Sequence, residues 1–262
     1  MEILEVSSKI EVEIKKADES DVAIILLLYK NPNFKGFLKP FDLELCGKKL
    51  WKWLELACND YPIKTTFCTP ESDILTLIKP MLTNKKYTMV LYSDTPLIQN
   101  NTIEEILTFV RARTANVVNL TRGFVFDTEY IKTVDKIQNN LIERFNEEDF
   151  ITVYDLKQLE FVGQILRQRI LDFHQKNGVL IYDTNSVFID ADVIIESGTI
   201  IEPNNIIKGK TLIGKNCKLE SGNVICDSIV GENCIIKSSY VSCSKVEKNT
   251  VVEPFEKIIN KI

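Results

Sequence analysis

The spacing of apolar residues changes character along the chain. From residue 189 large aliphatics recur every six positions, at Ile189, Ile195, Ile201, Ile207, Ile213, Leu219 and Ile225, seven in unbroken phase. Neither a helix, with its period of about 3.6, nor an ordinary strand, with its period of 2, produces that spacing. A hexad that makes one short strand and one corner does: three hexads close a triangular coil, and the aliphatics of successive coils stack inside the prism. The residues four further on, Val193, Thr199, Asn205, Thr211, Cys217 and Asn223, are mostly small or turn-forming, and Gly198, Gly209, Gly214, Gly222 and Gly231 fall near the corners. After Ile225 the phase slips by one residue, resumes at Val230 and Ile236, and loosens through Val241, Val246, Val252 and Ile258. The pattern predicts a hexapeptide β-helix of about four coils over 179–262.

Upstream the period reverts to three and four. Leu156, Leu159, Val162, Leu166, Ile170 and Phe173 predict a helix from Asp155, its N-cap, to a stop at Asn177-Gly178. This linker helix, taken as 151–178, separates the β-helix from a front domain over 1–150. The sole histidine, His174, stands at the helix C-terminus without a companion nucleophile or carboxylate and is read as structural. In the front domain Val22 to Leu28 reads as a buried strand, Gly47-Lys48-Lys49-Leu50 opens a helix, and the strand Thr88 to Tyr92 runs into Ser93-Asp94-Thr95-Pro96. Asp94 thus sits at the carboxyl end of a strand, where an open α/β sheet keeps its ligands.

Composition narrows the function. A net charge of -5 sets nucleic acid aside as a partner, since a phosphate-backbone binder carries clustered Lys and Arg. The seven-residue apolar run at Val22 to Leu28 is far too short to span a bilayer, so a cytoplasmic protein without a membrane partner is expected. The seven cysteines lack paired C-x-x-C spacing and read as free thiols. Cys217 with Cys234, and Cys226 with Cys243, should stack on adjacent coils as small packing residues rather than as a metal or redox centre.

From Asp149 to Leu159, through Arg167-Gln168-Arg169-Ile170, His174 and Asn177-Gly178-Val179, and on through the hexads to Val252-Glu253-Pro254-Phe255, the chain resembles the bifunctional N-acetylglucosamine-1-phosphate uridylyltransferase / glucosamine-1-phosphate acetyltransferase (GlmU) family. The resemblance implies an α/β nucleotidyltransferase-like, Rossmann-like N-terminal domain, a linker helix and a left-handed parallel β-helix. It also implies a homotrimer formed through the β-helices and a place in UDP-N-acetylglucosamine biosynthesis, with a sugar nucleotide or a full-length homologue as the alternative partners of a frame kept for binding or regulation. Asp94 matches the family aspartate that holds the catalytic Mg²⁺.

The same resemblance exposes departures. Where the family has a loop like Gly-x-Gly-Thr-Arg-Met, whose backbone donors close on the triphosphate, this chain has Tyr29-Lys30-Asn31-Pro32-Asn33-Phe34-Lys35. Lys30, Lys35 and Lys39 remain as phosphate-binding candidates, Lys39 one position from the family's active-site lysine. The uracil-reading Gln and Gly-Thr have no counterpart between Glu71 and Tyr87, and Tyr154 stands where the family has a second, asparagine metal ligand. Asn119 to Asp127 is similar to a sugar-binding strand. The family's acetyl-CoA site lies in coils beyond the Pro-Phe that Pro254-Phe255 matches. The expectation is a catalytically impaired homologue that binds, assembles or regulates. The alternative is an active Mg²⁺-dependent sugar-1-phosphate nucleotidyltransferase with a rebuilt site, and an acyltransferase is disfavoured because the β-helix offers no histidine base.

Overall fold

The computed structural model describes residues 20–36, 39–113, 115–137 and 141–260. The chain divides into two compact units, one built from residues 20–43 with 49–162, the other from 44–48 with 163–260. The division falls inside the long helix rather than before it. The short segment 44–48, inside the expected front domain, belongs to the second unit.

In the first unit the strands are β1 (Val22–Tyr29), β2 (Ile63–Cys68), β3 (Tyr87–Tyr92), β4 (Val117–Leu120), β5 (Gly123–Asp127) and β6 (Leu141–Ile142). They form one sheet in the order β2-β1-β3-β5-β4-β6. β2, β1 and β3 are parallel, β5 is antiparallel to both β3 and β4, and β6 is parallel to β4. The continuous apolar run of β1 follows from this topology: a strand covered on both faces has no polar side to alternate with. Val22, Ile24 and Leu26 pack on one face with Leu54, Ile103, Ile106 and Leu107. Ile25 and Leu27 pack on the other with Leu75, Ile78, Phe126 and Ile131. Helices α1 (Leu50–Ala57) and α3 (Asn100–Ala112) supply the first face, and α2 (Ile74–Ile78) and α4 (Thr128–Thr133) the second. α2 and α4 open on aspartate caps, Asp73 and Asp127, which accept from the backbone N–H groups of Thr76 and Tyr130.

Helix α5 (Leu156–Lys176) is the linker helix expected from the sequence. Its cap is Asp155, whose Oδ1 accepts from the Gln158 N–H at 2.8 Å.

In the second unit, short parallel strands stack into three sheets. One runs through Phe188–Ile189, Ile206–Lys208, Val224–Cys226, Tyr240–Ser242 and Lys257–Ile259, and the other two repeat the plan, giving a parallel β-helix. All seven aliphatics of the six-residue pattern are buried, with Ile201, Ile207, Ile213, Leu219 and Ile225 wholly inaccessible, each burial favouring the fold by about 1.5–3 kcal/mol. The register shows where the phase slips. Ile189 pairs with Ile207 and Ile207 with Ile225, whereas Ile213 pairs with Val230 and Val230 with Val246, so the coils shorten. The shortened corners turn on single non-glycine residues in the left-handed region, Asp227 (φ 46°), Ser238 (φ 40°) and Cys243 (φ 46°). The loosened phase is a tightening of the corners, and the inward stack continues through Val241, Val246 and Val252.

The small inward positions carry hydrogen bonds. Asn205 and Asn223 are fully buried, and the Asn223 amide donates to the Asn205 Oδ1 at 2.9 Å and to the Ile236 carbonyl at 3.1 Å. Buried amides that find such partners tie one coil to the next without leaving an unmet donor. Cys217 and Cys234 lie one coil apart, both buried, their thiols donating to the Gly231 and Glu247 carbonyls. All seven cysteines are free. Burial pushes the Cys217 thiol up to about 11, so it remains protonated packing material. His174 is buried, and desolvation alone lowers its pKa, which keeps the ring neutral.

Segment 44–48 forms a close clasp on the first coil. Gly47 turns with φ 78°, and a Cβ there would meet the Asp190 carboxylate at 2.7 Å. Lys48 pairs with Asp192, and the Ala191 N–H donates to the Cys46 carbonyl at 3.0 Å.

Candidate functional site

The site lies at the carboxyl edge of the first unit's sheet. β1 and β3 are parallel neighbours with Leu27 opposite Tyr92. The ladder extends one bond further as Ser93 N–H donates to the Leu27 carbonyl at 2.9 Å, and the Tyr29 N–H donates to the Ser93 hydroxyl at 2.9 Å. The chain then turns, with the Thr95 hydroxyl donating to the Tyr92 carbonyl at 2.8 Å, and this sets Asp94 at the strand end with only 4% of its surface exposed. Val153 N–H donates to the Asp94 carbonyl at 2.7 Å and brings the Tyr154 segment alongside.

The stretch Asn119 to Asp127 is a hairpin: β4 and β5 are antiparallel, with Leu120 opposite Gly123 and Thr121-Arg122 as the two-residue turn. Since β5 also pairs with β3, with Leu91 opposite Gly123, that turn is carried to the end of β3. Arg122 therefore meets Asp94. Its Nε donates to Oδ1 at 3.1 Å and its Nη2 to Oδ2 at 2.7 Å, the two-pronged geometry that suits a guanidinium to a carboxylate. The guanidinium stacks 3.9 Å from the Tyr92 ring centre and 4.7 Å from that of Tyr29, and the two rings meet edge to face at 5.9 Å. Burial raises the Asp94 carboxyl above the ordinary carboxylate range, and the Arg122 guanidinium opposes that rise.

The loop after β1 folds on itself. Asn31, nearly buried, accepts at its Oδ1 from the Asn33 N–H and donates from its amide to the Tyr154 carbonyl at 3.1 Å, while Phe34 is buried beneath. This loop and the one after β2 enclose a hollow of about 330 Å³ lined by Lys30, Asn31, Pro32, Phe34, Thr69, Pro70 and Glu71. Lys30 lies at its wall, whereas Lys35 and Lys39 do not line it; all three are exposed. Of the expected candidates, Lys30 and Asp94 share one edge of the sheet. Arg122 was the residue sequence reasoning missed, although an arginine beside a glycine between two short apolar runs marks a turn.

Whether a divalent cation fits can be judged from the donors. Both Asp94 oxygens are engaged by a guanidinium. The Tyr154 hydroxyl accepts from Gln158 at 3.3 Å, and its carbonyl accepts from Asn31. Among the described residues no group of three or more His, Cys, Asp or Glu side chains could hold a metal ion. The residues do not fit Mg²⁺.

No family model matches the chain. Curated relatives do: it is 44% identical over 113 residues to the bifunctional protein GlmU of Clostridium tetani, covering 43% of this chain and 25% of that protein. It is 35% identical over 141 residues to the bifunctional protein GlmU of Clostridium botulinum, covering 53% of this chain and 31% of that protein. The aligned stretches thus span less than a third of these relatives' own length. Among solved structures, molybdopterin-guanine dinucleotide biosynthesis protein A from Archaeoglobus fulgidus is similar with a TM-score of 0.45 and 12% identity, covering 56% of this chain and 99% of that one. No helix among the described residues is long and apolar enough to cross a membrane.

Proposed function

We propose, from the premise that this chain is a partial member of the GlmU family, that it binds a sugar nucleotide of the UDP-N-acetylglucosamine class at the carboxyl edge of its mixed sheet without transferring a uridylyl group. The observation that carries this reading is the Asp94–Arg122 pair: the carboxylate the transfer chemistry needs is already neutralised. The loop after β1 supports it, because the backbone N–H groups of Lys30, Asn33, Phe34 and Lys35 already donate within the protein, where a phosphate cradle needs open donors. The hollow between the β1 and β2 loops is large enough for a nucleoside, at the low end of ligand sites, and Lys30 at its wall supplies positive charge toward a phosphate. The residues of this chain thus bind and orient rather than react.

The test is calorimetric titration with UDP-N-acetylglucosamine and UTP, paired with an assay for pyrophosphate release from UTP plus N-acetylglucosamine-1-phosphate. Binding is expected without release. A ligand at about a hundred times its dissociation constant should also stabilise the protein by about 2.7 kcal/mol in a melting experiment. Release of pyrophosphate that Asp94→Asn abolishes would instead establish the active transferase with a rebuilt site.

Assembly belongs to the same proposal. Ile194, Leu212 and Ile229 occupy successive rungs of one β-helix sheet and are 59%, 38% and 50% exposed. An aliphatic ladder on one flat face supports packing of β-helices into a homotrimer. Light scattering at tens of micromolar should give three times the 30.0 kDa chain mass, and Ile229→Lys should return it to the monomer.

A further inference from the structure

Resting on the sugar-nucleotide reading, we infer that Arg122 stands where a divalent cation would otherwise sit, so that this edge of the sheet excludes metal and presents a guanidinium to the phosphates of its ligand. A cation coordinating Asp94 would have to break hydrogen bonds of 2.7 and 3.1 Å and lie against a like charge. Arg122 is not free to swing away at no cost, because Tyr29 and Tyr92 both contact its guanidinium and the hairpin turn that bears it is fixed by pairing with β3. The same group is equipped to meet an anion. Its Nη1 donates to no acceptor among the described residues, and the side chain is 27% exposed. An arginine so placed is a permanent cation with a directional fork, and it occupies both oxygens of the one carboxylate through which Mg²⁺ would be held.

Mn²⁺ alone is the first probe. Titrated into the wild-type protein and followed by electron paramagnetic resonance, free Mn²⁺ should show no protein-dependent loss of signal. Retention of Mn²⁺ by the wild type that Asp94→Asn abolishes would overturn the inference, and this measurement requires no disruptive substitution. Arg122→Met, if its circular dichroism remains that of the wild type, should gain Mn²⁺ binding at least tenfold, and failure to gain it would show that Arg122 is not what excludes the metal. The second probe is UDP-N-acetylglucosamine titrated in EDTA and in excess Mg²⁺. The affinity should agree within twofold between the two, and Arg122→Lys, which keeps the charge but loses the fork, should weaken it severalfold in both. A tenfold gain on adding Mg²⁺ would overturn the inference. Absence of binding in both conditions would defeat the functional reading instead, while the Mn²⁺ result would still judge the exclusion of metal.

Discussion

Replacing Arg122 with methionine should destabilise the first unit by about 3–5 kcal/mol, because it strands a carboxylate that is almost wholly buried. The asymmetry of the pair makes the prediction specific. Asp94 keeps 5% of its side-chain surface in water and Arg122 keeps 27%, so Asp94→Asn leaves a charge that still reaches solvent and retains its tyrosine contacts. It should cost less than half as much. The pH dependence follows from the direction of the shift. Burial already raises the Asp94 carboxyl, and without the guanidinium nothing opposes the rise. The folded variant then binds a proton at pH values where the unfolded chain does not, so the contribution of Asp94 to stability is fully present in acid and is lost as pH climbs through its folded-state pKa. Urea unfolding should therefore show the gap between wild type and Arg122→Met widening as pH rises above the ordinary carboxylate pKa of about 3.9. Trp51 and Trp53 are the only tryptophans and both lie in the first unit, so their fluorescence reports this unit selectively.

Gly123→Ala is expected to be comparably severe, at about 3–5 kcal/mol, combining backbone strain with an overlap that cannot relax. Gly123 has φ 144°, and a Cβ on it would stand 2.5 Å from the Val90 carbonyl oxygen. That oxygen belongs to β3, a strand held between β1 and β5. Gly36→Ala separates the two contributions: its φ of 87° carries the conformational penalty, but nothing lies within 4 Å of its added Cβ. It should cost only about 1–2 kcal/mol. Gly123→Ala should also shift the Arg122 turn and so weaken any ligand bound beside Asp94. Equal destabilisation by the two substitutions would mean that strand β5 relaxes away from β3.

The β-helix was legible because its signal is local and repeated. Each coil imposes the same inward aliphatic, so seven positions in phase report one physical requirement seven times, and even the slip after Ile225 is visible as the loss of a corner residue. Helix α5 was legible for a similar reason, through its period, its aspartate cap and its Asn-Gly stop. Asp94 was placed at a strand end by the apolar run before it. What that carboxylate does there was not legible, since its partner lies 28 positions away and arrives only because β5 inserts between β3 and β4. Among three candidate lysines the resemblance set Lys39 nearest the family's active-site lysine, whereas the folded loop puts Lys30 at the hollow and leaves Lys35 and Lys39 off it.

The clasp of segment 44–48 belongs to the same class of information. Nothing in Glu44-Leu45-Cys46-Gly47-Lys48 marks it as part of a β-helix 140 residues later, yet Lys48 pairs with Asp192 across a separation of 144 positions. By itself the sequence determined the repeat, the helix and the buried strands, because periodic burial is written into neighbouring residues, and it carried the resemblance of the matched stretch. Tertiary structure alone decided the pairing of Asp94 with Arg122, the place of Lys30 beside the hollow and the clasp, because each depends on side chains brought together by the fold, which local periodicity does not encode.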